Sequence, residues 1–222
     1  MNSQLLFEIG LLVFAYLFGS IPFSVILGTK LKGVDVRKHG SGNPGGTNSI
    51  RWLGRPVGLT IVFLDGFKGG LIILLVRFAL IDLEFIPVLV FGVVGALGHV
   101  FPIFLKFKGG KAVAATGGLL VGYNLIWAVI SISVFFIVIK ISKYVSVGST
   151  SVPIVVLILS LIWGLTNTPA FPYLPDTSFW VYEIPYVIVL LLTIVIRHRS
   201  NYNNIKNGVE PKVKWAMKKA DL

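Results

Sequence analysis

The sequence contains no cysteine and only nine acidic residues among 222. The missing thiols exclude disulfides, thiolate metal sites and a cysteinyl thioester intermediate. Charge is scarce as well: 13% of residues are charged and 55% hydrophobic, with a mean hydropathy of +0.86. A soluble domain carries about 25% charged residues, so an ordinary globule is excluded, and so is a disordered chain. The apolar runs are too continuous for an outer-membrane barrel, whose strands alternate in pieces of about ten residues. An internal repeat of the transporter kind is also missing. The expected class is an all-α integral membrane protein, a single polytopic membrane domain over 1–222.

Long apolar runs cover 5–27, 56–81, 86–105, 112–139, 152–165 and 184–196. A membrane helix needs about 20 such residues. The first Lys is Lys30, so nothing basic precedes the first run, which is the wrong flank for a signal peptide. All of the 20 basic residues except Lys68 and Arg77 sort into 28–55, 106–111, 140–148 and the tail from Arg197. The other connectors carry Asp82, Glu84, Asp176 and Glu183 instead. The net charge of +11 thus follows the positive-inside pattern and meets anionic headgroups, with no nucleic-acid partner expected.

Placing all four basic segments in the cytoplasm requires two passes within 112–139, turning at Gly122-Tyr123-Asn124. A seven-transmembrane-helix bundle results, with the N-terminus outside and the C-terminus cytoplasmic. Asp65 and Lys68 lie at i and i+3 and are expected to pair inside it, with His99 a satisfied polar core residue. Arg77 is expected to snorkel to the outer interface. The proline-rich stretch 168–175 reads as an aromatic external loop.

The cytoplasmic motif segments near 37–51, 106–111, 143–151 and 197–210 carry the chemistry. Gly40 to Asn48 reads Gly-Ser-Gly-Asn-Pro-Gly-Gly-Thr-Asn, followed by Arg51. Bare N–H groups there can form an anion nest, with a helix starting near Asn48 or Ser49. Ser41, Asn43, Thr47 and Asn48 add neutral donors, and Arg51 a bidentate phosphate fork. Lys106 to Lys111 repeats the pattern in miniature around Gly109-Gly110. Arg197-His198-Arg199-Ser200-Asn201 ends the last span, and Ser146 to Ser151 forms a hydroxyl patch. One membrane face therefore offers binding groups for more than one phosphate. Carboxylates are scarce there, so neither an Asp/Glu base nor a metal cage is expected. His39, His99 and His198 have no Asp within the next five positions, unlike acyl-CoA-dependent acyltransferases. The same nests would also suit a carrier or receptor for phosphorylated metabolites, or belong to a structural membrane subunit.

At these residues the chain resembles the bacterial acyl-phosphate:glycerol-3-phosphate acyltransferases, the PlsY family. Three patches match: 40–48 with Arg51; Gly98-His99-Val100-Phe101-Pro102 running into Phe107-Lys108-Gly109-Gly110-Lys111; and Arg197-His198-Arg199 with Asn201, Gly208 and Glu210. The resemblance implies acyl transfer from acyl phosphate to the 1-hydroxyl of sn-glycerol 3-phosphate, giving lysophosphatidate and phosphate for phospholipid synthesis. It implies glycerol phosphate binding by Ser41, Arg51, Lys108, Ser149, His198 and Asn201. It implies acyl phosphate binding by Asn43, Gly45, Gly46, Thr47, Asn48, Gly109 and Gly110. It further implies no cofactor, no metal, a substrate phosphate as base, and a multi-pass bacterial inner-membrane protein with a cytoplasmic active site. A functional link to an enzyme that makes acyl phosphate follows. Gly46 stands where the family usually has Ala, Ala112 and Ala115 where it has Gly and Thr, Ser200 for a frequent Glu, and Asn204 for a frequent Arg.

Overall fold

The structure, a computed structural model, describes residues 2–166 and 180–213, so the stretch 168–175 lies outside the described residues. Everything regular in it is helical: α1 Ser3–Gly19, α2 Phe23–Lys32, α3 Gly46–Leu53, α4 Arg55–Arg77, α5 Val88–Val100, α6 Val113–Tyr123, α7 Leu125–Ser142, α8 Val145–Thr166, α9 Trp180–Arg197 and α10 Arg199–Lys206. Among the described residues, five stretches are long and apolar enough to cross a membrane: Ser3–Lys32, Arg55–Arg77, Val88–Leu105, Leu125–Ser142 and Val145–Leu165. Their outward faces are apolar, with Phe63 69% and Leu165 82% exposed. Such surfaces suit hydrocarbon, not water.

The first apolar run is broken between α1 and α2. Pro22 has no N–H and disfavours helical backbone at Ile21. The Ile21 carbonyl, exposed by the break, accepts the buried Lys68 ammonium at 2.9 Å. The second break falls at Asn124, where Gly122-Tyr123-Asn124 is expected to turn, and separates α6 from α7. At 11 residues α6 spans about 16 Å, half the hydrocarbon thickness.

Residues up to Asn124 form one compact unit and those from Leu125 a second. In the first, α4 and α6 touch through small residues. A Cβ on Gly118 would lie 1.8 Å from the Gly66 carbonyl oxygen, and one on Gly69 2.2 Å from that of Ala115. Small-residue faces let membrane helices approach to backbone contact. Arg77 does not simply reach for the interface; it donates to the Gly122 carbonyl at 3.1 Å and so caps α6. Asp65 and Lys68 pair as expected, 2.9 Å apart and buried. A small core of Val36, Leu53 and Ile61 fastens the segment between α2 and α4 onto α4.

In the second unit α7 and α8 form a hairpin that turns at Lys143, whose φ is +70°. Trp127 meets Trp163 edge to face at 5.6 Å, and Gly148 leaves room for Ile139 and the Phe135 carbonyl. The chain after α10 returns to this turn, where the Val213 N–H donates to the Lys143 carbonyl at 2.9 Å.

Candidate functional site

The first motif is organised from within by Asn48. Its buried amide donates to the Val36 and His39 carbonyls at 2.9 and 3.0 Å and accepts the Ser41 N–H at 3.3 Å. The Asn48 side chain is therefore a scaffold, with no capacity left for a phosphate. Ser24 Oγ donates to the Pro44 carbonyl at 2.9 Å and pins the middle of the loop. The helix starts at Gly46, two to three residues before the expected start at Asn48 or Ser49, because Gly45 in extended backbone serves as the cap.

No side chain caps α3. Among the described residues no acceptor meets the N–H groups of Gly46, Thr47 and Asn48. Three uncommitted donors at the positive end of a helix have the geometry that suits an anion. Ser41, Thr47 and Arg51 are exposed beside it and Asn43 half-buried. Gly46 is tight: a Cβ there would lie 2.3 Å from Val62 Cγ2, so the Ala usual in the family needs Val62 to turn.

Upstream, Asp35 pairs with Arg37 at 2.8 Å. The Arg37 guanidinium, followed by its backbone N–H, holds the Asp35 carboxyl down at about 2 against partial burial.

The second motif differs from a nest. The Gly109 N–H donates to the Val100 carbonyl at 3.1 Å and the Gly110 N–H to that of His99 at 3.0 Å. Both amides are committed to backbone, so the pair offers no bare donors. Its smallness is used instead for contact with His99, whose Nε2 would lie 2.0 Å from a Cβ on Gly110. Before it, Lys106 and Phe107 hold positive φ angles of +51° and +62°. This tight turn leaves Lys108 exposed. Pro44 of the first motif and Pro102, Gly109 and Gly110 of the second line one small cavity, floored by Asp65, Lys68 and His99. The fold thus brings these two motifs together within the first unit.

In the second unit, His198 is buried with Nδ1 2.8 Å from the Ile194 carbonyl. A carbonyl only accepts, so Nδ1 carries the proton. Ser149 is also buried, its hydroxyl donating to the Val145 carbonyl at 2.8 Å. Thr150 shares a hydrogen bond with the Tyr202 hydroxyl, which joins the 143–151 patch to the third motif. Asn201 donates to Glu210 Oε1 at 2.6 Å, and Asn204 to Oε2 at 3.3 Å. Glu210 thereby closes the turn after α10, where Gly208 has a φ of +72°. Sequence reasoning gave Glu210, Tyr202, Asp65 and His99 no part in organising the motifs. The contacts of Glu210 with Asn201, Tyr202 with Thr150 and His99 with Asp65 join residues 9 to 52 apart, at no helical or strand spacing that would have signalled them.

A helical protein with apolar, membrane-length segments and basic, glycine-rich motifs at their ends suits, as a class, a membrane enzyme or carrier for phosphorylated compounds. Comparison narrows the class. The family described as Glycerol-3-phosphate acyltransferase matches residues 9–208. A glycerol-3-phosphate acyltransferase of Bacillus subtilis (strain 168) is 42% identical over 205 residues, covering 92% of this chain and 97% of the relative. One from Geobacillus kaustophilus is 37% identical over 215 residues, covering 95% and 98%. Among solved structures, PlsY, an integral membrane glycerol 3-phosphate acyltransferase, is similar in its glycerol 3-phosphate form with a TM-score of 0.76. That likeness is 33% identical in sequence and covers 92% of this chain and 94% of PlsY. Its lysophosphatidic acid form gives 0.75. The chain belongs to the glycerol-3-phosphate acyltransferase family, and it is an acyltransferase.

Proposed function

We propose that this protein transfers an acyl group from acyl phosphate to the 1-hydroxyl of sn-glycerol 3-phosphate. The hydroxyl oxygen bonds to the acyl carbon, the acyl–phosphate bond breaks, and phosphate leaves. The hydroxyl proton passes to a substrate phosphate. The products are lysophosphatidate and inorganic phosphate. The donor is already activated, so positioning and charge neutralisation suffice.

The observation that carries the donor assignment is the uncapped start of α3. The N–H groups of Gly46, Thr47 and Asn48, at the end of a loop spanning Asn43 and Gly45, suit the phosphate of the donor. Ser41, Arg51 and Lys108 hold the glycerol phosphate, joined by Ser149, His198 and Asn201 as the family resemblance assigns. Arg51 supplies a planar fork and Lys108 a point charge that reduce repulsion between the two anions. Gly109 and Gly110 contribute through the position of Lys108, since their amides are committed elsewhere.

Seven passes with an outside N-terminus and a cytoplasmic site in the bacterial inner membrane agree with the distribution of Lys and Arg. The acyl chain then enters sideways from the bilayer, and an enzyme that makes acyl phosphate supplies the donor. The natural absence of cysteine allows single-cysteine labelling from either side to read that topology.

The test uses purified protein in detergent with labelled glycerol 3-phosphate and no added metal. Palmitoyl phosphate, palmitoyl-CoA and palmitoyl carrier protein are compared as donors. Lysophosphatidate from palmitoyl phosphate alone is expected, and Arg51→Ala or Lys108→Ala is expected to reduce it more than 100-fold in folded protein. Product from palmitoyl-CoA would overturn the donor. Phosphate-ester uptake into vesicles without product would favour a carrier.

A further inference from the structure

Lys108 sits on a turn that does not hold its shape unaided. Lys106 and Phe107, two consecutive residues with side chains, both adopt left-handed backbone at φ +51° and +62°. Such geometry is strained for L-residues and persists only where its surroundings over-determine it. The surroundings are specific. The Phe107 N–H donates to Pro102, that of Lys108 to Leu105, that of Gly109 to Val100, and that of Gly110 to His99. Three of these acceptors lie within 99–102, so the last turn of α5 and the residues after it form the template for the strained turn.

That template is fastened in turn from below. His99 is 6% exposed, and its Nδ1 lies 3.5 Å from Asp65 Oδ1 on α4. The same carboxylate oxygen holds Lys68 at 2.9 Å, and Lys68 reaches on to the Ile21 carbonyl at 2.9 Å. The His99 ring also fills the space beside Gly110 that a side chain would take. A buried charged network thus ties the α1–α2 break, α4 and α5 to one strained turn. Charged groups inside a membrane helix bundle are costly and are found where they have a task.

We propose that Asp65 and His99 are positioning residues of the acyltransferase, holding the 106–110 turn rigid so that Lys108 is aimed at its phosphate. The inference rests on the assignment of Lys108 above, but the rigidity is measurable without it.

Two variants separate a specific role from general packing. In His99→Asn the side-chain amide keeps a donor close to the place of Nδ1, whereas His99→Leu keeps bulk and loses the donor. His99→Leu is expected to raise the KM for glycerol 3-phosphate at least tenfold, and His99→Asn to recover most of the loss. Equal defects in both variants would overturn the role of the Asp65 contact. The second measurement places a nitroxide on Lys108→Cys in the cysteine-free chain and reads its mobility by electron paramagnetic resonance. His99→Leu and Asp65→Asn are expected to convert a restricted spectrum into a mobile one. An unchanged spectrum in folded protein would overturn the proposal, whatever the enzyme's donor proves to be. A mobile label with unaltered kinetics would instead overturn the assignment of Lys108.

Discussion

Glu8, on α1, accepts the Ile86 N–H at 2.7 Å. The same carboxylate takes the amides of Glu84 at 2.6 Å and Phe85 at 3.2 Å, and the Gln4 side chain adds a fourth donor at 3.2 Å. A buried carboxylate in the first helix is thereby a clamp on the connector between α4 and α5. Glu8→Ala leaves three amides without their acceptor, at about 1 kcal/mol each where water replaces it poorly. Thermal unfolding in detergent is expected to show a clear drop, smaller for Glu8→Gln, with turnover unchanged because the motifs lie elsewhere in the unit. An unaltered melting temperature in Glu8→Ala would refute the clamp.

The Asn48 side chain lies inside the motif yet its hydrogen bonds all go to protein backbone. Asn48→Ala removes two donors and one acceptor from the loop, leaving the Ser24–Pro44 hydrogen bond to pin its middle. A loss of about 2–3 kcal/mol is expected, and the KM for the acyl donor should rise with it as α3 loses its fixed start. Asn48→Asp keeps the acceptor for Ser41 but sets a carboxylate against two carbonyls, so it should be no better than Ala. Full activity in Asn48→Asp would refute the scaffold role of the two amide donors.

Ala112 carries a φ of +63° at the start of α6 and is fully buried. The family's usual Gly has no Cβ to strain there. Ala112→Gly is expected to stabilise the protein by about 1 kcal/mol, partly offset by the greater freedom of the unfolded chain. The check is a rise in melting temperature, and a fall would show that the Ala112 methyl is worth more as packing than it costs as strain.

Asp35 and Arg37 yield a pH dependence. The folded carboxyl titrates at about 2, below its ordinary 3.8. Its contribution is therefore present above about pH 4 and lost as pH falls toward 2. Replacing Arg37 by Gln should return the carboxyl toward its ordinary value, as read by carbon-13 titration of labelled Asp35. The pair is partly exposed, so overall stability should change little.

Much of this was legible in the sequence because it depends on composition and local spacing. Apolar runs of membrane length, the sorting of Lys and Arg, and the i, i+3 pairing of Asp65 with Lys68 are all of that kind. The helix break at Asn124 was legible from Gly122-Tyr123-Asn124. The break at Ser20-Ile21-Pro22 carried a proline signal but lay inside a continuous apolar run, where hydropathy conceals it. The start of α3 was read two to three residues late, since either Gly45 or a side chain was able to serve as the cap.

The sequence by itself determined the class of protein, the order of its segments and the residue types available for phosphate. Only the tertiary structure decided which of two similar glycine motifs keeps its amides free. Gly46, Thr47 and Asn48 retain theirs because a helix starts there and no side chain caps it. Gly109 and Gly110 lose theirs because the carbonyls of Val100 and His99 fold onto them. An N–H group is the same in every residue but proline; its availability depends on the nearest acceptor. That acceptor is set by packing between distant segments, which no local pattern records.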